Sequence, residues 1–81
     1  MNVRAQVEAQ FKRVAQEHDK QLAPLRDDLS LLDSGLDSLC FAVIVVRLEN
    51  ALGFDPFSAS EDAAFPSTYG EFVSFYENAA G

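Results

Sequence analysis

Ser38 follows Asp37 where a polar loop gives way to the apolar run Leu39-Cys40-Phe41-Ala42-Val43-Ile44-Val45-Val46. A helix that begins there presents unpaired N–H groups and the positive end of its macrodipole, which favours nearby negative charge. A hydroxyl so placed is expected to be exposed and able to carry a phosphate diester. Asp37 is a good N-cap, which leaves Ser38 free for other duties. Serine is also common at helix starts for structural reasons, so position alone does not make it functional.

Other side chains offer less. Cys40, near the same helix start, could have a lowered thiol pKa. A nucleophile there would need a base, and His18 is the only histidine. The plainer reading of Cys40 is a small hydrophobe. His18 falls on an apolar helical stripe, and metal binding would need further ligands that the sequence does not place beside it. Asp27, Asp28, Asp33 and Asp37 lack the alternating oxygen ligands and closing Glu of a calcium loop. They read as solvated loop charges.

The elements that must hold Ser38 are legible from periodicity and caps. Val3, Val7, Phe11, Val14, His18 and Leu22 recur every three or four residues and predict a helix over 3–22, with Asn2 as N-cap and Pro24 as terminator. Residues 24–36 form a long loop. Its leucines (Leu25, Leu29, Leu31, Leu32, Leu36) predict that it lies across the core. Asp33-Ser34-Gly35 is turn chemistry, with Gly35 able to take positive φ. A second helix is expected over 38–52, with Gly53 in the left-handed C′ position. Its β-branched run lowers intrinsic propensity, so packing must hold it. Ser58-Ala59-Ser60-Glu61 and Thr68-Tyr69-Gly70-Glu71 match capping boxes, predicting a very short helix near 59–64 and a longer one over 69–79. Tyr69, Phe72, Val73 and Tyr76 form the inward stripe of the last, with Phe75 on its flank. The expected fold is all-α: one domain, 1–81, in a small four-helix bundle of three longer helices and one short, with a long first loop.

At 81 residues the chain suffices for one small domain. Apolar residues make up 48% of it, which argues against wholesale disorder. A net charge of −7 argues against nucleic acid and favours basic protein surfaces, or simply keeps the domain soluble. A single cysteine excludes an internal disulfide and points to a reducing cytoplasm. No window approaches the ~20 apolar residues of a spanning helix, so no membrane role is expected.

Leu32-Asp33-Ser34-Gly35-Leu36-Asp37-Ser38-Leu39 resembles the attachment loop of acyl and peptidyl carrier proteins. Val46-Arg47-Leu48-Glu49-Asn50-Ala51-Leu52-Gly53 is similar to the end of that family's second helix. Pro56-Phe57, the short helix and the Thr68-led helix fall at its usual spacings, so the resemblance covers most of the chain. It implies that Ser38 bears 4'-phosphopantetheine, delivered from coenzyme A by a phosphopantetheinyl transferase with Mg²⁺. Asp37 would help hold the metal and transferase, and Leu39 would sit at the transferase contact. The arm's thiol would carry an acyl or aminoacyl thioester between an activating ligase and downstream synthase or transferase enzymes. On this reading the chain is a discrete, monomeric carrier that begins at its own Met1. It is a shuttle and not an enzyme.

One departure is informative. Fatty-acid-synthesis carriers usually display several acids on the second helix. Here Leu39, Cys40, Ala42, Val43 and Val46 are expected outward, with Glu49 and Asn50 beyond them. Phe41, Ile44, Val45 and Leu48 are expected inward. An exposed apolar patch marks a partner surface. Leu39, Cys40, Val43, Val46 and Glu49 are therefore the expected partner-binding residues, in a contact built on burial more than on charge. That suits peptidyl carriers or discrete carriers in specialised pathways. The Leu-Asp-Ser-Leu motif instead suits acyl carriers and lacks the paired glycines of peptidyl ones, so the cargo stays open. The rival function is a non-covalent module whose apolar second helix docks into a partner groove. A helical redox protein acting through Cys40 is a third.

Overall fold

The computed structural model describes residues 2–56 and 66–80. The short helix expected near 59–64 lies outside them. Among the described residues the chain is mostly helical: α1 (Val3–Glu17), α2 (Ser38–Leu52) and α3 (Tyr69–Ala80), with a 3₁₀ turn at Leu31–Asp33.

α1 starts as its sequence predicts. The Asn2 side chain accepts the Ala5 N–H at 3.1 Å. The helix ends at Glu17, however, five residues short of the expected boundary. Pro24 is not what stops it. Asp19 turns left-handed at φ 56°. The Asp19 N–H then reaches the Gln16 carbonyl at 3.2 Å, and the Lys20 N–H reaches Ala15 at 2.7 Å. This is the paired closure of a Schellman motif, with Asp in the seat usually taken by Gly. Leu22 therefore leaves the helical stripe, yet it still packs partly against the core.

α1 is the central element, packing on both α2 and α3. Val7, Phe11, Val14 and Ala15 are buried on it. The Phe11 ring meets Tyr69 and Phe72 edge-on, each at a centroid distance of 5.2 Å. Phe41 of α2 approaches the same ring at 6.2 Å. Edge-to-face contacts at such distances add to the area that the aromatic rings bury. From α3, Tyr69, Phe72, Val73 and Tyr76 are buried, as its periodicity predicts.

The long loop is bound at both sides. Leu31 and Leu36 are buried in the core, whereas Leu32 is 91% exposed. Toward α3, the Leu31 N–H donates to Ser67, and the Tyr69 and Gly70 N–H groups donate to the loop carbonyls of Leu29 and Asp27. Loop carbonyls thus satisfy donors that a helix start leaves unpaired. The Thr68 hydroxyl accepts the Glu71 N–H at 3.2 Å, giving half of the expected capping box. The Glu71 carboxylate turns to Ser67 N–H at 3.4 Å instead of to Thr68.

Toward α1, the Ala23 N–H donates to the Ser34 carbonyl at 2.9 Å. Gly35, at φ 94°, passes so close to Gln21 that an added Cβ would fall 2.2 Å from its carbonyl oxygen. Gly53 is also left-handed, at φ 86°, but an added Cβ there would meet nothing within 4 Å.

These two glycines separate strain from steric conflict. Gly53→Ala should cost about 1–2 kcal/mol, the penalty of a left-handed non-glycine residue. Gly35→Ala adds a backbone clash and should cost roughly 3 kcal/mol or more. Urea denaturation of both variants checks the order.

Candidate functional site

The head of α2 is built by two carboxylate–serine steps in succession, and the structure treats them oppositely. Asp33-Ser34 lies in the turn. Ser34 is the one buried polar residue among those described. Its hydroxyl donates to the Leu31 carbonyl at 2.6 Å and accepts the Leu36 N–H at 3.3 Å. Asp37-Ser38 lies at the helix start. Asp37 adopts extended backbone and its side chain accepts the Cys40 N–H at 2.9 Å. Ser38 is the first helical residue and is exposed. Its hydroxyl has no hydrogen-bond partner among the described residues. Of two serines in nearly identical settings, one is locked into the turn and one is free.

The Asp37 carboxylate is held down to about 2 from its ordinary value of 3.8. The Cys40 N–H is the main cause. Lys20 assists, its ammonium lying 3.4 Å from the second carboxylate oxygen. Asp37 is therefore ionised throughout the physiological range.

Beside Ser38 opens a groove of about 960 Å³. Leu31 and Leu36 from the loop border it on one side, Phe41, Ala42, Val45 and Val46 from α2 on another, and Pro66 and Ser67 at the far edge. Asp37 is its one charged border residue among those described. Leu32, Leu39 and Val46 are 91%, 62% and 56% exposed, and all three lie on or next to this opening.

The expected partner face is partly redrawn. Leu39, Ala42, Val46, Glu49 and Asn50 are outward, as expected. Cys40 is not: it is fully buried, and burial pushes its thiol pKa up. Helical spacing explains this: Cys40, Ile44 and Leu48 form one four-residue row, and that row faces the core. A run that is apolar on every side gives no period from which to read this phase. Val43 is half-buried and packs against the core, so it belongs only to the margin of the patch. Val45 and Phe41, expected inward, are half-buried and pack against the core, and both also border the groove. The burial and raised pKa of Cys40 also oppose the redox reading.

Among the described residues no three His, Cys, Asp or Glu side chains gather as a metal site. His18 is half-exposed at the end of α1. No described helix is long and apolar enough to cross a membrane. Two features of this region escape the sequence reading: the buried role of Ser34 and the approach of Lys20. The first has a signal in the turn-forming Asp-Ser-Gly triplet. The second has none, because Lys20 and Asp37 are distant along the chain. No family model, no curated protein and no solved structure matches the chain.

Asp37→Ala removes the cap and should lower the melting temperature by roughly 5 °C at neutral pH. A depressed folded-state pKa stabilises above the unfolded value, so the gap should be full above about pH 4 and close as pH falls toward 2. Thermal melts across that range test the sign. On the outer face, Val46→Glu should stay within about 0.5 kcal/mol of wild type, as exposed substitutions do. Val43→Glu, which forces charge against the core, should cost about 1–3 kcal/mol. Circular dichroism during denaturant unfolding distinguishes the two.

Proposed function

We propose that the chain is a carrier protein whose Ser38 bears 4'-phosphopantetheine. One observation carries the reading: Ser38 offers a free, exposed hydroxyl at the start of α2 beside an apolar groove, while its near-duplicate Ser34 is buried and bonded. The residues fit the group. A phosphodiester on Ser38 would lie in solvent, near the unpaired N–H groups of the first helical turn. Asp37, already fixed as cap, would present its outer oxygen to the loading enzyme and its Mg²⁺. The exposed side chain of Leu39 would meet that enzyme.

In loading, the Ser38 Oγ forms a bond to the β-phosphorus of coenzyme A. The phosphoanhydride bond breaks, adenosine 3',5'-bisphosphate leaves, and the serine proton passes to a base of the transferase or to solvent. When bound, the arm supplies a terminal thiol on which acyl or aminoacyl groups travel. Ser38 anchors it, the aliphatic border of the groove shields apolar surface beside it, and Leu39, Val46 and Glu49 face the enzymes it visits. The tether gives each visiting enzyme a high effective concentration of cargo. The chain itself performs no catalysis in this scheme. It acts in the cytoplasm as a monomer, loaded by an activating ligase and unloaded by a synthase or transferase. The full four-helix arrangement, with its short helix near 59–64, belongs to this proposal.

A second reading draws on the exposure of Leu32, Leu39 and Val46. It makes α2 a docking helix for a non-covalent partner and leaves Ser38 as an ordinary helix-start residue.

Incubation with coenzyme A, Mg²⁺ and a promiscuous phosphopantetheinyl transferase separates the two. Intact-mass measurement should show one phosphopantetheine added to wild type and none to Ser38→Ala. No addition with several transferases would sink the carrier reading and leave the docking module.

A further inference from the structure

We propose that Lys20 is the positioning residue for a phosphate on Ser38, supplying the counter-charge that lets this phosphate sit beside the Asp37 carboxylate. The inference rests on the reading of Ser38 as the attachment site.

A phosphodiester on Ser38 adds a negative charge to the residue after an ionised carboxylate. At a separation of a few ångströms such like charges repel appreciably, even partly screened. The helix N–H groups offset part of this repulsion, and a nearby cation would offset more. The chain has six Lys and Arg residues, all among those described. Arg4 is paired with Asp27, Lys12 with Glu8 and Arg47 with Glu17. Arg13 borders the crevice between α1 and α2 on the side of Gln10 and Arg47. Arg26 is exposed in the loop, next to Asp27 in the chain. Lys20 is the cation that an ion pair brings to the head of α2, 3.4 Å from Asp37 Oδ2.

Its place is set by backbone. The Schellman closure directs the chain out of α1 at Lys20, through the Lys20 N–H bond to Ala15. Residues 20–23 then run antiparallel to residues 34–37: Ala23 bonds to Ser34, Gln21 presses on Gly35, and Lys20 faces Asp37. Main-chain contacts on either side thus fix the point from which the Lys20 side chain departs. Its side chain is 38% exposed and that of Asp37 is 51% exposed. An exposed pair of this kind stabilises a protein little. The separation also leaves the flexible lysine free to swing toward a second anion. The pair therefore does little for the unmodified fold and gains a role once Ser38 carries charge.

The test compares thermal melts of wild type, Lys20→Gln and Lys20→Arg, each unmodified and with phosphate at position 38. The phosphate is installed in two ways: by transferase and coenzyme A, and by genetically encoded phosphoserine. Unmodified Lys20→Gln should melt within about 2 °C of wild type. With phosphate it should fall by roughly 4 °C more than wild type falls. Lys20→Arg should restore the wild-type response, and high salt should shrink the excess loss. Equal losses in wild type and Lys20→Gln would overturn the role of Lys20. The phosphoserine arm decides this even where no transferase loads the protein. In that case the attachment reading fails separately, on the mass measurement.

Discussion

The side chain of Asp37 caps α2 and fixes where that helix begins. One of its oxygens accepts the Cys40 N–H and the other faces Lys20. A helix that starts one residue earlier or later is rotated by about 100° relative to its surroundings. With the start at Ser38, the row Cys40, Ile44, Leu48 turns inward and Leu39, Ala42 and Val46 turn out. The exposure of Ser38 is a consequence of the same phase. A single hydrogen-bonded carboxylate thus links the content of the core to the chemistry of the surface.

The cap is held in turn by the loop before it. The Ser34 hydroxyl gives the Leu36 N–H of the buried turn its partner and adds a second donor to the Leu31 carbonyl, which also accepts the Ser34 N–H, and an unsatisfied group there would be costly. Gly35 lets that turn lie directly on the chain leaving α1, closer than any side chain would permit. The loop is long by the standard of compact domains. Its main-chain bonds to Ala23 on one side and to Ser67, Tyr69 and Gly70 on the other remove most of the freedom its length suggests.

Whether a feature is legible in the sequence depends on how local its physics is. The bounds of α2 are readable because Asp37 and Gly53 are local signals with local physics, and both occupy the predicted conformations. The inward stripe of α3 is readable because its polar residues mark the period. The end of α1 is not. Asp19 supplies a left-handed stop without the glycine that would announce it, and Pro24, a stronger signal in the sequence, lies beyond the true end. On α2 the place of Cys40 escapes for the opposite reason: the eight apolar residues at its start carry no polar mark, although Ile44 and Leu48 lie inward and Leu39, Ala42 and Val46 outward as expected. Cys40 is expected outside on that account, and its four-residue spacing from Ile44 and Leu48 carries it in. The Lys20–Asp37 approach depends on two segments meeting in space, which no local pattern encodes.

The apolar opening beside Ser38 has a structural origin. α1 provides the main contacts to both α2 and α3, so the outer flank of α2 is left without a helical neighbour among the described residues. Leu32, Leu39 and Val46 are exposed, lie outside the buried core and gather near the Ser38 hydroxyl, in a chain whose net charge is −7. Charge of that size can offset the solubility cost of a modest apolar patch. In the carrier proposal this combination would suit a surface for transient contact: a small apolar area beside the attachment site, on a chain kept in solution by its charge.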